Sequence, residues 1–509
     1  MFKRLISVGG FTLLSRITGF IRDVLMAAIL GKGILSDAFI VAFTFPNYFR
    51  AIFGEGTINP AFLPRYGALK AKGEHERAAL FGDGIYSWQM AAQLVILLAA
   101  LAAMPWIVRL LAGGWSPDAL AMTTSLSRIT FPYLILTVAA IQLSAMLNAI
   151  EKFWAAAAWS NFLNLAMIAA LLASPFFPNA AYAAAWGVLA GGAAQLAFMV
   201  WAAARHGLKL KFRRPRWTPE VAEFFRAFGA VTIGAGSVVI APFIDTFIVT
   251  HWLPVGSRTA LYYADRINQL PLGVLGIALG TVLLPDMTAR LVGGDKAGSD
   301  AAQNRAAALS LLLTLPFLAV FVSIPAIIMR GVFAHGAFDR HAADLAGLGL
   351  MAYGVGLPAM ALVRIVASTF YARHDTATAA RATLTAFACN IVIKLVLVLG
   401  LGWGIAGVAL GTALGAWINV TLLVIAGRSK GLLVIEAGFR RALAPIVLAG
   451  VAAAIGARAG AGLAQQWAAG VTFQPYVWPL LGGGLLGVAL WGGVVLLFRR
   501  RLSFGRAVP

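Results

Sequence analysis

The sequence predicts an all-α polytopic membrane protein. About fourteen transmembrane helices form two six-helix lobes in a parallel pseudo-twofold repeat, and two more helices follow at the C-terminus. Three observations predict this fold: the composition, the sidedness of the basic residues and an internal repeat. Of 509 residues, 61% are hydrophobic and 12% charged, against roughly 25% charged in a soluble domain. Mean hydropathy is +0.85. Such a chain is neither a soluble enzyme nor a disordered segment. The single cysteine, Cys389, lies in an apolar run, so a disulfide framework and a cysteine metal site are both excluded.

Apolar stretches fall at 5–30, 35–57, 84–111, 123–149, 155–175, 181–204, 224–252, 260–288, 306–330, 343–370, 379–400, 404–426, 441–460 and 475–498. The first resembles a signal peptide only briefly. Arg16 interrupts it and no small-residue cleavage site precedes Arg22-Asp23, so it reads as a retained helix. An even number of spans puts both termini on one side. Lys and Arg in the loops and tails of that side outnumber those opposite by roughly four to one, which makes that side cytoplasmic. The same asymmetry accounts for the net charge of +21 without nucleic acid as a partner.

The repeat has an offset of about 222 residues. Asp23 aligns with Asp245, the motif at Gly54 with that at Gly276, and Pro64 with Pro285. Asn164 aligns with Asn390 after a small gap, and Trp186-Gly187-Val188 with Ala406-Gly407-Val408. Six helices per unit is an even number, so the two units share one orientation. The expected domains are a lobe over 1–206, a basic cytoplasmic linker over 207–222, a second lobe over 223–428, and a C-terminal helix pair with a basic tail over 429–509.

Charges inside the spans locate the function. Arg128 and Arg226 lie near helix ends, where they can snorkel. Arg16, Arg22, Arg50, Arg266, Arg364 and Lys394 lie deeper. A charge at mid-membrane costs about 2.5–3.5 kcal/mol, so five lipid-facing arginines would cost on the order of 12–17 kcal/mol. They must face protein or a wet cavity. The acids available to them are Asp23, Asp37, Glu55, Asp245 and Asp265. One reading is buried ion pairs that hold helices in register. The other is an anion site, because the guanidinium fork fits phosphate oxygens. Gly9-Gly10, Gly19, Pro46, Pro271 and Gly273 flank these arginines and loosen helices where backbone lines a cavity. The six histidines, His75, His206, His251, His335, His341 and His374, form no His-x-x-x-His pair. The reading is therefore a transporter without cofactor or metal, not an enzyme.

These segments resemble the MurJ (MviN) lipid II flippases, within the wider multidrug, oligosaccharidyl-lipid and polysaccharide exporter superfamily. One block runs from Ser15-Arg16-Ile17-Thr18-Gly19-Phe20-Ile21-Arg22-Asp23 through Ser36-Asp37-Ala38-Phe39 and Phe45-Pro46-Asn47 with Arg50. It continues to Gly54-Glu55-Gly56 and Ala61-Phe62-Leu63-Pro64. A second is Tyr263-Ala264-Asp265-Arg266-Ile267-Asn268-Gln269-Leu270-Pro271. A third joins Arg364 to Phe370-Tyr371-Ala372-Arg373-His374-Asp375-Thr376. The resemblance implies a flippase that moves lipid-linked peptidoglycan precursor, lipid II, to the periplasmic leaflet of the bacterial inner membrane by alternating access.

On this reading Arg16, Arg22, Arg50, Arg266 and Arg364 hold the diphosphate. Ser15, Asp23, Asp37, Glu55, Asp265 and Gln269 support or gate the site. The last two helices form a groove for the polyprenyl tail. Some relatives carry a sodium site in helices 7 and 11. Here Lys394 lies one turn after Asn390, so an Asp245–Lys394 ion pair is expected in its place. The expected partners are lipid II and membrane lipids, with the chain a monomer near cell-wall synthesis proteins. The alternative substrate is another polyprenyl-linked glycan or amphiphile.

Overall fold

The computed structural model describes residues 2–50, 58–278, 284–373, 375–468 and 475–502. Among these residues the regular structure is helical and no strand occurs. The helices are α1 (Phe2–Leu30), α2 (Ile34–Arg50), α3 (Ile58–Ala71), α4 (His75–Ala112), α5 (Pro117–Thr130), α6 (Tyr133–Ala149), α7 (Phe153–Ala158), α8 (Ser160–Leu172), α9 (Ala180–Ala204) and α10 (Pro219–Trp252). They continue as α11 (Ser257–Ala278), α12 (Leu284–Val292), α13 (Lys296–Ser323), α14 (Pro325–Phe333), α15 (Arg340–Tyr371), α16 (Thr376–Leu395), α17 (Gly404–Ser429), α18 (Ala437–Trp467), α19 (Val477–Leu497) and α20 (Arg499–Leu502).

Among the described residues, ten segments are long and apolar enough to cross a membrane, and each coincides with an expected span. The other four expected spans are α1, α2, α10 and α11. These carry Arg16, Arg22, Asp23, Asp37, Arg50, Asp245, Asp265 and Arg266, most of the candidate site. The ninth expected span, 306–330, is interrupted. α13 stops at Ser323, and Pro325 opens α14 at its first turn, because proline lacks the N–H that would continue the ladder.

The chain divides into two compact units, Met1–Gly256 and Ser257–Pro509. In the first, α3, α4, α6 and α9 enclose a core containing Ile58, Phe62, Tyr66, Phe81, Ile85, Val138 and Leu147. Phe62 stacks on Tyr66 and Phe81 with centroids 4.8 and 5.4 Å apart. α1 lies on α8, and α10 packs against α4, α3 and α2. By sequence α10 opens the second repeat, yet its packing places it in the first unit. The reason is local, since the segment leading into α10 is tied to α4 (below).

In the second unit α15 packs against α17, α13, α11 and α14. The C-terminal pair, α18 and α19, approaches to backbone contact. A Cβ on Gly460 would sit 2.3 Å from the Gly482 carbonyl oxygen, and one on Gly456 2.6 Å from that of Leu486. This is the small-residue packing by which membrane helices gain van der Waals contact. One side of α19 stays open, with Leu481, Leu485 and Val488 exposed.

Candidate functional site

Within α1 the Ser15–Asp23 motif is divided between two faces. One face docks on α8 through polar contacts. The Ser160 hydroxyl donates to Ser15 Oγ at 2.8 Å. The Asn164 amide donates to the Ser15 carbonyl at 3.0 Å and to Thr18 Oγ1 at 3.1 Å. Gly19 leaves room for this amide, since a Cβ there would lie 3.4 Å from Asn164 Nδ2. Arg22 belongs to the same network. Its Nη1 donates to Asn164 Oδ1 at 3.0 Å, and its Nη2 and Nε donate to Asp23 Oδ1 at 2.7 and 3.1 Å. The Arg22 and Asp23 side chains are only 8% and 5% exposed. Burial at this depth demands a partner for the charge, and Asp23 supplies it. Arg16 lies six residues earlier, about 120° around the helix, and its side chain is exposed.

On α2, Asp37 is 1% exposed and accepts the backbone N–H of Gly256 at 2.6 Å. Gly256 has φ +91°, and a Cβ there would collide with the Lys32 side chain. Asp37 therefore ties the start of α2 to the turn that ends α10. The same end of α10 is clasped by α4. Thr250 donates its hydroxyl to the Leu111 carbonyl, and a Cβ on Gly114 would lie 2.5 Å from the Thr250 carbonyl oxygen.

Further along α2, Pro46 precedes Arg50, whose Nη2 donates to Asn47 Oδ1 at 3.3 Å. Phe243 of α10 packs against Phe45, Tyr48 and Phe49, at centroid distances of 5.1, 5.9 and 6.3 Å. Asp245 is half-buried two residues on. Glu55, an expected gating residue, and His374 lie outside the described residues.

In the second unit, Arg266 on α11 is half-buried. Its Nη2 donates to Tyr262 Oη at 2.8 Å, and its guanidinium carbon lies 4.7 Å from that ring's centroid. Tyr263 is buried against Phe333 and Phe338 at 4.7 and 5.2 Å and fixes this part of α11. Gln269 donates to the Asp265 carboxylate one turn away. Arg364 on α15 is exposed. Lys394 is 2% exposed, its stem held against Gly411 of α17, and Asn390 lies likewise against Gly415. The expected partners Asp245 and Lys394 thus belong to different compact units. No group of three or more His, Cys, Asp or Glu side chains suited to a metal occurs among the described residues.

Sequence reading missed Asp83. It sits at the edge of an apolar stretch, in the first turns of α4. Its carboxylate accepts the backbone N–H of Lys211 at 2.9 Å and Arg213 Nε at 2.8 Å. The basic linker is therefore a strap laid on α4. With α3 and the start of α10 it encloses a cavity of about 560 Å³ lined by Arg77, Arg213, Arg214, Arg216 and Glu220. The Glu220 carboxyl is held below its ordinary range by its own backbone N–H and by the Thr218 hydroxyl. The signal available in the sequence was an acid embedded in Phe81-Gly82-Asp83-Gly84.

Comparison with known proteins extends these observations. A family model described as lipid II flippase MurJ matches residues 26–477. A protein of Rhizobium tropici named as a probable lipid II flippase MurJ is 37% identical over 454 residues, covering 88% of this chain and 84% of the relative. Among solved structures, one titled lipid II flippase MurJ in an inward closed conformation aligns with a TM-score of 0.80 at 22% identity, over 97% of this chain and 99% of that one. An inward-facing multidrug resistance MATE transporter of the MOP superfamily aligns with a TM-score of 0.69 at 14% identity, over 82% of this chain and 95% of that one. These structural likenesses concern the fold.

Proposed function

Because the chain belongs to the lipid II flippase MurJ family, we propose that it moves lipid II from the cytoplasmic to the periplasmic leaflet of the bacterial inner membrane by alternating access. The observation that carries the chemistry is a set of arginines on charged helices within an otherwise apolar bundle. Lipid II pairs a diphosphate and a polar head with a polyprenyl tail. The head cannot cross hydrocarbon unaided, and the tail need not leave it.

Arg16, Arg50, Arg266 and Arg364 bind the diphosphate and head group, guanidinium being always charged and bidentate toward phosphate. Arg22 plays a different part. Asp23 and Asn164 already satisfy it, so it holds α1 on α8 and fixes where Arg16 points. Ser15 serves the same docking. Asp265 and Gln269 form a pair beside Arg266. Asp37 latches the periplasmic end of α2 and acts as a gate, together with Glu55. The termini are cytoplasmic, and α18 and α19 offer the tail an apolar groove. We also propose that Lys394 pairs with Asp245, so that transport does not require sodium.

A bound diphosphate shifts the balance between inward- and outward-open states only by its differential affinity for them. Drawing the arginines together around one dianion supplies that difference. The inside-negative potential, worth about 2.3 kcal/mol per charge per 100 mV, returns the emptied cationic cavity inward. The test is lipid II accessibility in cells that depend on this chain. Arg16→Ala, Arg50→Ala and Arg266→Ala insert normally and lose flipping. Full activity in all three would remove the site.

A further inference from the structure

Each compact unit contains a strap, and the two straps are held at repeat-related positions. In the first unit the strap is the extended segment between α9 and α10. Asp83 accepts the Lys211 N–H and pairs with Arg213 Nε, with its side chain 3% exposed. One turn on, Ser87 Oγ accepts the Arg213 N–H at 2.9 Å. The Trp88 indole donates to the Arg216 carbonyl at 3.1 Å and meets Trp217 edge-on at 5.4 Å. Trp217 in turn stacks on Phe225 of α10 at 5.5 Å.

In the second unit the strap is the extended segment between α17 and α18. Asn304 of α13 donates its amide to the Val434 carbonyl at 2.8 Å, and its Oδ1 accepts the Glu436 N–H at 3.2 Å. Asn304 follows Asp83 by 304 − 83 = 221 residues, and Val434 follows Arg213 by 434 − 213 = 221. That is the offset of the internal repeat to within one residue. One position on the third helix of each repeat therefore binds the segment leaving that repeat's last helix.

The two latches differ in chemistry. A neutral amide donates and accepts, and serves a strap of sequence Leu432-Leu433-Val434-Ile435-Glu436. A carboxylate only accepts, and serves Lys211-Phe212-Arg213-Arg214. In the second unit the position equivalent to Asp83 holds its strap through a neutral side chain. The ionic form occurs where the strap leads into α10, the helix whose far end is held by Asp37 at Gly256 and by the Leu111 carbonyl of α4 at Thr250. From Arg213 to Pro219 the chain is six residues, at most about 20 Å when extended. A docked strap thus sets a short tether on the start of α10.

We propose that Asp83 is a positioning residue for transport: through Lys211 and Arg213 it anchors the start of α10 to α4, and flipping slows when that anchor is lost. The proposal rests on the lipid II reading, and its test separates the two. The full chain in nanodiscs is followed by hydrogen exchange of the strap amides, lipid II binding and lipid II flipping. Asp83→Ala speeds exchange at Lys211 and Arg213 at least about tenfold. It slows flipping about fivefold or more and leaves lipid II affinity within about twofold.

Asp83→Asn keeps the Lys211 bond, loses the ion pair and falls between. Asn304→Ala speeds exchange only at 434–436. If Asp83→Ala does not fold, Ser87→Ala with Arg213→Gln loosens the strap from its own side and must give the same split. Unchanged strap protection, or a released strap with wild-type flipping, overturns the proposal. Wild-type protein that carries no lipid II overturns the substrate reading and the transport half with it, while the exchange contrast still decides the latch.

Discussion

Asp23→Ala tests the proposed division between Arg22 as a structural arginine and Arg16 as a substrate-facing one. In the folded protein the Arg22 guanidinium makes two hydrogen bonds to Asp23 and one to Asn164, in a site where both side chains of the pair are under one-tenth exposed. Removing one partner of a buried ion pair costs about 3–5 kcal/mol, because the other charge stays behind without compensation. Asn164 still takes one N–H, so the lower end applies, about 3 kcal/mol. Replacing both members with Arg22→Met and Asp23→Leu removes the charge problem and costs far less, within about 1 kcal/mol. Arg16→Ala, at an exposed position of the same helix, shifts stability by no more than about 0.5 kcal/mol and abolishes flipping. The assay is unfolding of the purified protein in mixed micelles, read by tryptophan fluorescence, beside a flipping assay on the same preparations. An Asp23→Ala protein as stable as Arg16→Ala, or a double variant less stable than Asp23→Ala, would refute this division.

Other outcomes follow from the same geometry. Gly460→Val places a branched side chain where even a Cβ would lie 2.3 Å from the Gly482 carbonyl. It separates α18 from α19 and costs about 1–3 kcal/mol, measurable as loss of a disulfide engineered across that helix pair. Gly256→Ala forces φ +91° on an L-residue and pushes into Lys32. It weakens the Asp37 latch by about 1–2 kcal/mol, seen as faster hydrogen exchange at the Gly256 amide position. Asp375 is held at about 2, chiefly by hydrogen bonds from Lys430 and Thr378, against an ordinary value of about 3.9. A depressed carboxyl contributes stability that is full above its unfolded value and is lost as pH falls through the folded one. Wild-type protein therefore loses thermal stability between pH about 4 and 2 through this group, and Asp375→Asn lacks that component. Replacing sodium with choline leaves the rate of lipid II flipping unchanged, and a sodium-dependent rate would contradict the Asp245–Lys394 pairing.

Most of the bundle was legible because membrane helices announce themselves by long apolar runs, and each expected span contains helix. The boundaries that moved have local causes. Pro325 divides the ninth span, and α4 begins at His75 rather than at 84 because its first turn, His75-Glu76-Arg77, is polar and lies outside the apolar run. The arginines were legible as costly charges, but their individual surroundings were not. Arg22 and Arg16 look alike in sequence, and only the packing of α1 on α8 shows that one is satisfied by Asp23 and the other is exposed. Asp83 escaped notice for the opposite reason. At the rim of an apolar stretch an acid reads as ordinary, and its partners lie 128 and 130 residues away. The repeat was visible as scattered matches at a constant offset, and Asp83 and Asn304 give that offset a structural meaning.

Depletion of this chain in its own cells, with lipid II counted on each face of the inner membrane, reaches the account at its foundation. The periplasm-accessible pool should fall while the cytoplasmic pool rises, before growth stops. An unchanged ratio of the two pools under full depletion would contradict it.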